Sequence, residues 1–128
     1  MNKGIWAAQG LLALIFLMAG GMKLATPHAE LAQMMPWVAD APSLLPKLIG
    51  LAEMLGAIGL IAPSALRIVP RLTVAAAVGL ALVMVLAIPM HVAYDEASSI
   101  PVNVVFLGLA CFVAWGRHIK APISPRGA

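Results

Sequence analysis

Residues 47–60 read KLIGLAEMLGAIGL, an apolar segment that carries one carboxylic acid, Glu53, in its interior. A carboxylate in the hydrocarbon of a bilayer is costly unless it is paired, hydrated or protonated, so such a residue usually has a function. Gly50, Gly56 and Ala57 lie three residues before, three after and four after Glu53. This spacing predicts one face of small residues on which a neighbouring helix approaches closely and covers the acid.

The composition is that of an integral membrane protein. The chain has 128 residues, of which 62% are hydrophobic and 10% charged, and its mean hydropathy is +1.00. A soluble domain would have about a quarter of its residues charged. The single cysteine, Cys111, lies in an apolar run and is expected to be buried and inert. The sequence contains no run of basic residues that would indicate a nucleic-acid partner.

Four apolar segments, at about residues 5–24, 44–62, 72–92 and 100–115, are each suited to one membrane crossing. About 20 helical residues, rising about 1.5 Å each, span a hydrocarbon core of about 30 Å. We therefore predict an all-α fold in which residues 1–128 form one membrane domain, an antiparallel bundle of four transmembrane helices. The first segment resembles a signal peptide, but its length favours a retained helix.

The connections between these segments have distinct features. The outer loop, residues 25–43, is predicted to contain a short interfacial helix at residues 30–35, which could cover the mouth of the bundle. Pro63 is expected to follow the end of the second helix, and Pro89 to kink the third. The fourth segment is short for a full span, so it is expected either to thin the bilayer or to extend toward His118.

The charges divide between the two ends of such a bundle. One end carries six basic residues, and the other carries the acids Glu30, Asp40, Asp95 and Glu96. By the positive-inside rule the basic end, with both termini, faces the cytoplasm. We expect a multi-pass protein of the bacterial inner membrane. The six basic residues are Lys3, Arg67, Arg71, Arg117, Lys120 and Arg126.

Each predicted helix contributes one polar residue at a similar depth near the acidic end. These residues are Lys23, Glu53, His91 and Asn103. Rows of small and apolar residues at spacings of three and four lead to two of them, as in helix faces that point into a bundle. One row is Gln9, Ala13, Phe16, Gly20 and Lys23; the other is Ala77, Ala81, Met84, Ile88 and His91. The pattern predicts that the four polar residues meet, and that Gln9 makes a separate interhelical hydrogen bond.

A quinone or another lipid headgroup suits such a cluster. Lys23 or Asn103 would donate a hydrogen bond to a headgroup oxygen, while Glu53 and His91 would exchange the protons that accompany reduction. The gap lined by Phe16, Ala81 and Met84 would take an isoprenoid tail.

Other interpretations of the cluster stay open. Lys23 could extend toward the headgroups, His91 could cap its helix, Asn103 could join two helices, and a Lys23–Glu53 ion pair could be purely structural. The chain would then be a structural or assembly subunit of a membrane complex.

A small oligomeric proton-coupled transporter is a further alternative. The scarcity of polar groups in the inner half, where Gln9 stands alone, argues against it. Copper binding by His28, Met34, Met35, Met90 and His91 is disfavoured because no close Met or His spacing occurs, and no metal site is predicted.

The chain resembles the DoxX-like family of small four-helix membrane proteins. The resemblance rests on residues 19–24 (AGGMKL), 48–60 (LIGLAEMLGAIGL) and 87–91 (AIPMH), and on Asn103. It implies a membrane component of an oxidoreductase system, of the kind associated with thiosulfate:quinone oxidoreduction or oxidative-stress complexes. The sequence has no haem ligand pair, flavin-binding glycine motif or cysteine pair, so whether it is an enzyme by itself stays open. We expect an oxidoreductase partner subunit that supplies electrons, or a homo-oligomer.

Overall fold

The computed structural model describes residues 1–127. They form an all-helical protein with six α-helices, and no strand occurs in this range. The helices are α1 (Asn2–Ala25), α2 (His28–Met34), α3 (Pro36–Ala39), α4 (Leu44–Leu66), α5 (Arg71–Ala93) and α6 (Ile100–Trp115). A 3₁₀ turn, Ala97–Ser99, precedes α6, and a π-helical turn, Gly116–Lys120, follows it.

Four helices are long and apolar enough to cross a membrane, which confirms the predicted all-α class with four spans. They are α1, α4, α5 and the continuous run Ala97–Lys120 around α6. A helix satisfies its own backbone hydrogen bonds, as a segment in lipid must. One end differs from expectation: α4 continues past Pro63 to Leu66. The π-helical turn carries the last span past residue 115 to Lys120, in the direction of the expected extension toward His118.

The four long helices form a closed antiparallel ring in the order α1, α4, α5, α6. Contacts between distant parts of the chain define it: Lys23 at the end of α1 meets Glu53 in α4, and Gln9 near its start meets Leu60. Phe16 packs edge-to-face on Phe106, so α6 closes the ring against α1. We call the end with the α1–α4 connection the acidic end, and the opposite end, with the α4–α5 turn and both chain ends, the basic end.

An apolar layer fills the middle of the ring. Leu12, Leu60, Leu80 and Val113 from the four helices are almost fully buried there. Large apolar side chains cover the outside as well, which is how a lipid-facing surface differs from a soluble one. Cys111 belongs to that surface: it is exposed, and the expectation that it would be buried is wrong.

Helices α2 and α3 form a lid over the acidic end, which we define as residues 28–39. Leu31, Trp37 and Val38 of the lid are buried, and they pack against Ile49 of α4 and Met90 of α5. Tyr94, just after α5, donates a hydrogen bond of 2.7 Å to the Asp40 carboxylate directly after the lid. The lid is therefore held by an apolar contact and one polar tie.

Candidate functional site

A cavity of about 570 Å³ lies at the acidic end, between the four long helices and the lid. Its walls come from all four spans, and the lid contributes Met34, Met35 and Trp37. The six side chains that the sequence singled out as candidate ligand-binding residues all line it: Phe16, Lys23, Glu53, Met84, His91 and Asn103. The structure thus brings these candidates together, although not all of them contact one another.

Lys23 and Glu53 form a buried ion pair across the α1–α4 interface. The Lys23 ammonium lies 2.9 Å from the Glu53 Oε1, and the two residues are 8% and 3% exposed. Pairing offsets much of the cost of placing each charge in an apolar environment. The cavity therefore contains an ammonium and a carboxylate that are held against each other.

Two glycines bring these helices together at the ion pair. A Cβ atom on Gly20 would lie 2.5 Å from the Gly50 carbonyl oxygen, and one on Gly50 would lie 2.8 Å from the Lys23 Cβ. Gly56 does not belong to this contact, because it packs on Leu80 of α5. The small residues around Glu53 thus serve two neighbouring helices, and the prediction of one shared face is wrong in that respect.

Lys47 stabilises the end of α1 beside the ion pair. Its ammonium donates to the carbonyls of Lys23, Leu24 and Thr26 at 2.9–3.0 Å. A helix leaves its last carbonyls without intrahelical partners, and a cation there also interacts favourably with the helix dipole. Sequence reasoning missed this role, since only the fold shows that α4 begins beside the end of α1.

Asn103 offers a hydrogen-bond donor that nothing in the described chain uses. The residue is 9% exposed, and its Nδ2 is buried without a partner among residues 1–127. Buried side-chain amides are nearly always bonded, so such a group needs an explanation. Because Asn103 lines the cavity, a ligand oxygen is a natural acceptor.

His91 is paired, but with a residue that the sequence did not single out. Its Nδ1 lies 2.7 Å from the Glu96 Oε2, and both side chains are about one-fifth exposed. Glu96 also donates its backbone N–H to the His91 carbonyl. The imidazole is thus oriented by the turn after α5. The only sequence signal was an acid five residues after a histidine.

A second buried polar cluster lies at the basic end, around Arg117. This arginine is 4% exposed and donates from Nε to the Gln9 side chain and from Nη1 to the Asn2 side chain, each at 2.6 Å. Gln9 makes the interhelical bond expected of it, to the Leu60 carbonyl.

The view that Gln9 stands alone in that half is wrong, since Ser64, Thr73 and Arg117 are buried there too. Arg117 is also buried inside the last span and does not follow it. The sequence contained a signal of this burial, because Arg117 continues the spacing of Asn103, Ala110 and Val113, which lie on the buried face of the helix.

The residues considered for copper are only partly grouped. Met34, Met35, Met90 and His91 line the cavity, whereas His28 does not. In residues 1–127, no group of three or more His, Cys, Asp or Glu side chains is placed to hold a metal ion.

A comparison with known protein families identifies the family of this chain. Residues 7–113 match the model of a family described as the DoxX-like family, so the match covers the four long helices except the first turn of α1 and the last turns of the fourth span. No curated protein and no solved structure matches the chain significantly.

Proposed function

The chain belongs to the DoxX-like family, and we propose that it is a quinone- or lipid-headgroup-binding membrane subunit, or anchor, of an oxidoreductase system. One observation carries the proposal. A cavity with mostly apolar walls contains the Lys23–Glu53 ion pair and the unpartnered Nδ2 of Asn103. Such a cavity suits a ligand with a long apolar part and one or two polar oxygens.

The cavity fits the size and chemistry of that ligand class. Ligand pockets are typically about 300–1,000 Å³ and mostly apolar, with a few polar groups that set orientation. Phe16 and Met84 supply apolar wall on α1 and α5, while Asn103 supplies a donor on α6. Within residues 1–127, Asn103 Nδ2 is a buried nitrogen in the cavity wall that has no hydrogen-bond partner. A headgroup carbonyl would accept a hydrogen bond from it.

The chain's own residues then handle protons. Reduction of a bound quinone would require two electrons, which a partner subunit would supply, and two protons. Lys23 donates a hydrogen bond to a headgroup oxygen and stabilises negative charge that develops there. Glu53 accepts and releases a proton at its carboxylate, and the His91–Glu96 pair links the cavity with the turn at the acidic end.

The test is to determine which ligand the gently purified full chain retains. We expect near-stoichiometric quinone after solvent extraction, measured by mass spectrometry and redox-difference absorbance. Asn103→Leu should lose the quinone but show no fall in thermal midpoint relative to quinone-free wild type, because Nδ2 has no protein partner to lose. Glu53→Gln should lose it as well. Glu30→Gln removes an exposed lid carboxylate outside the cavity, so it serves as the charge-matched control.

A structural or assembly subunit is the second candidate, favoured by the position of the ion pair at the Gly20–Gly50 helix contact. Under this function no quinone is recovered, and Glu53→Gln lowers only stability or assembly. Recovery of a phospholipid in place of quinone would retain the headgroup site and reject the redox role. A transporter is disfavoured because the apolar layer of Leu12, Leu60, Leu80 and Val113 separates the two polar clusters.

A further inference from the structure

We propose that the basic end contains a second binding site, specific for a phosphate group, with Arg71 and Arg117 as its cationic residues. The site is separate from the acidic-end cavity and does not depend on the function proposed for that cavity. Its ligand is either the phosphate of an anionic lipid headgroup or free phosphate, since both present the same oxygens.

A cavity of about 840 Å³ marks the site. It is bordered by the α4–α5 turn, the first turn of α5, the π-helical turn after α6 and the chain segment that follows. Arg71, Arg117 and His118 line it, together with apolar side chains such as Val74 and Ile123. The cavity is thus basic and partly apolar, as a site for a lipid headgroup and the start of its acyl chains should be.

Arg117 has hydrogen-bonding capacity that the chain leaves unused. Its Nε and Nη1 are bonded to Gln9, Asn2 and the Ala121 carbonyl, and every one of these acceptors is uncharged. Its Nη2 is buried without any partner among residues 1–127. Buried guanidinium groups are normally paired with an anion, because an uncompensated buried charge is costly. An anion within reach of Arg117 is the missing component.

The local fold holds Arg117 in this position. Gly116 lies against Ile5 of α1, where a Cβ atom would come within 2.5 Å of the Ile5 Cδ1, so the last span approaches α1 closely. The guanidinium also stacks over the Trp6 ring, with its carbon 4.8 Å from the ring centre. The Arg117 guanidinium is therefore held rigidly, and its unpartnered Nη2 is available in a fixed position to donate to a phosphate oxygen.

No Asp or Glu side chain lies near enough to neutralise the positive charge of Arg71 and Arg117. All five Asp and Glu residues of the chain lie toward the acidic end, and none lines this cavity. The N-terminus of α5 also borders it through Pro70 and Arg71, and a helix N-terminus favours an anion. Basic pockets between transmembrane helices are known to bind phosphate headgroups.

The segment after the last span closes one side of the cavity. Arg67 donates from Nε to the Ser124 carbonyl at 2.8 Å, and its own carbonyl accepts from the Arg126 N–H at 2.8 Å. Pro122 and Pro125 then form part of the cavity wall. Arg67 is therefore occupied in holding this wall, and Arg71 and Arg117 are the arginines that line the cavity.

The experiment measures binding to the full chain in a neutral detergent, with inorganic phosphate, short-chain phosphatidylglycerol and short-chain phosphatidylcholine as probes. We expect phosphatidylglycerol to bind more tightly than phosphatidylcholine. Arg71→Gln should weaken binding about tenfold, the effect of one lost charge-assisted hydrogen bond. The Arg71 side chain is exposed and makes no hydrogen bond within residues 1–127, so this variant is expected to fold normally.

Lys120→Gln is the matched control, since it removes one charge from the same end at a residue that stacks on Trp115 and does not line the cavity. Arg117→Lys keeps a positive charge at this position but removes Nη2, so it should weaken phosphate binding without changing quinone content at the other end. Binding of phosphatidylglycerol alone identifies a lipid as the source, and binding of phosphate identifies the free ion. The proposal is overturned if neither binds, or if Lys120→Gln and Arg71→Gln weaken binding equally.

Discussion

Gly20 and Gly50 show how single atoms set the position of the candidate site. The α1 and α4 backbones approach so closely at these residues that neither tolerates a Cβ atom without movement. The Lys23–Glu53 pair lies within one turn of this contact. Its 2.9 Å geometry therefore depends on two residues that carry no side chain.

Alanine at position 20 should be destabilising, whereas alanine at the adjacent position 21 should not. The added methyl of Gly20→Ala would meet the Gly50 carbonyl and Met54, at a cost of about 1–3 kcal/mol. Nothing lies within 4 Å of a Cβ atom on Gly21, and alanine there gains helix propensity. Thermal unfolding of both variants in detergent is the measurement. Equal midpoints would show that the two helices are not in tight contact.

At the scale of elements, the lid depends on Tyr94 and Asp40. Tyr94 is the only tyrosine of the chain, and its O–H donates to the Asp40 carboxylate. This hydrogen bond and the neighbouring negative charge raise the pKa of Tyr94 above its ordinary value of about 10. The tie exists only while Tyr94 is protonated. The stabilisation by this hydrogen bond is fully present below the pKa of tyrosine in the unfolded chain. It is lost as the pH rises through the raised pKa of Tyr94 in the folded protein.

A spectroscopic titration can measure this tie directly, because all tyrosinate absorbance comes from one residue. We expect the wild-type midpoint to lie above about 10, and Asp40→Asn to return it to about that value. Asp95→Asn is the control. Asp95 is one residue from Tyr94 but does not bond it, and its φ of 60° is a conformation that asparagine also adopts. If Asp95→Asn lowers the titration midpoint as much as Asp40→Asn does, the pKa of Tyr94 is raised by the general negative charge nearby and not by the hydrogen bond to Asp40.

The elements and the depth of the polar residues could be predicted from the sequence, because helix rise and bilayer thickness relate residue number to depth. That reasoning placed Lys23, Glu53, His91 and Asn103 at one end of the bundle. It could not assign the partner of His91, since Glu96 reaches it only through the conformation of the turn after α5. It also left open whether the fourth helix extends past residue 115, and it placed Arg117 after the last span, whereas Arg117 is buried within that span.

At the scale of the whole molecule, the charge distribution sets the two ends apart. The basic end has six Lys and Arg residues and no carboxylate side chain, while the acidic end has Lys23, Lys47 and all five carboxylates. An apolar layer lies between the two buried polar clusters. A ligand or partner at one end therefore meets a surface of different charge from that at the other.

This asymmetry predicts the orientation of the chain in the membrane. Lys and Arg near the ends of transmembrane segments are retained on the cytoplasmic side, so the basic end and both termini should face the cytoplasm. In a bacterial host, a fluorescent protein fused after residue 127 should then fluoresce, and a phosphatase active only outside the cytoplasm should work when inserted between Asp40 and Pro42. The opposite pattern would reverse the orientation. It would place the lid and the Lys23–Glu53 cavity toward the cytoplasm, so that a partner subunit supplying electrons from that side would meet the lid.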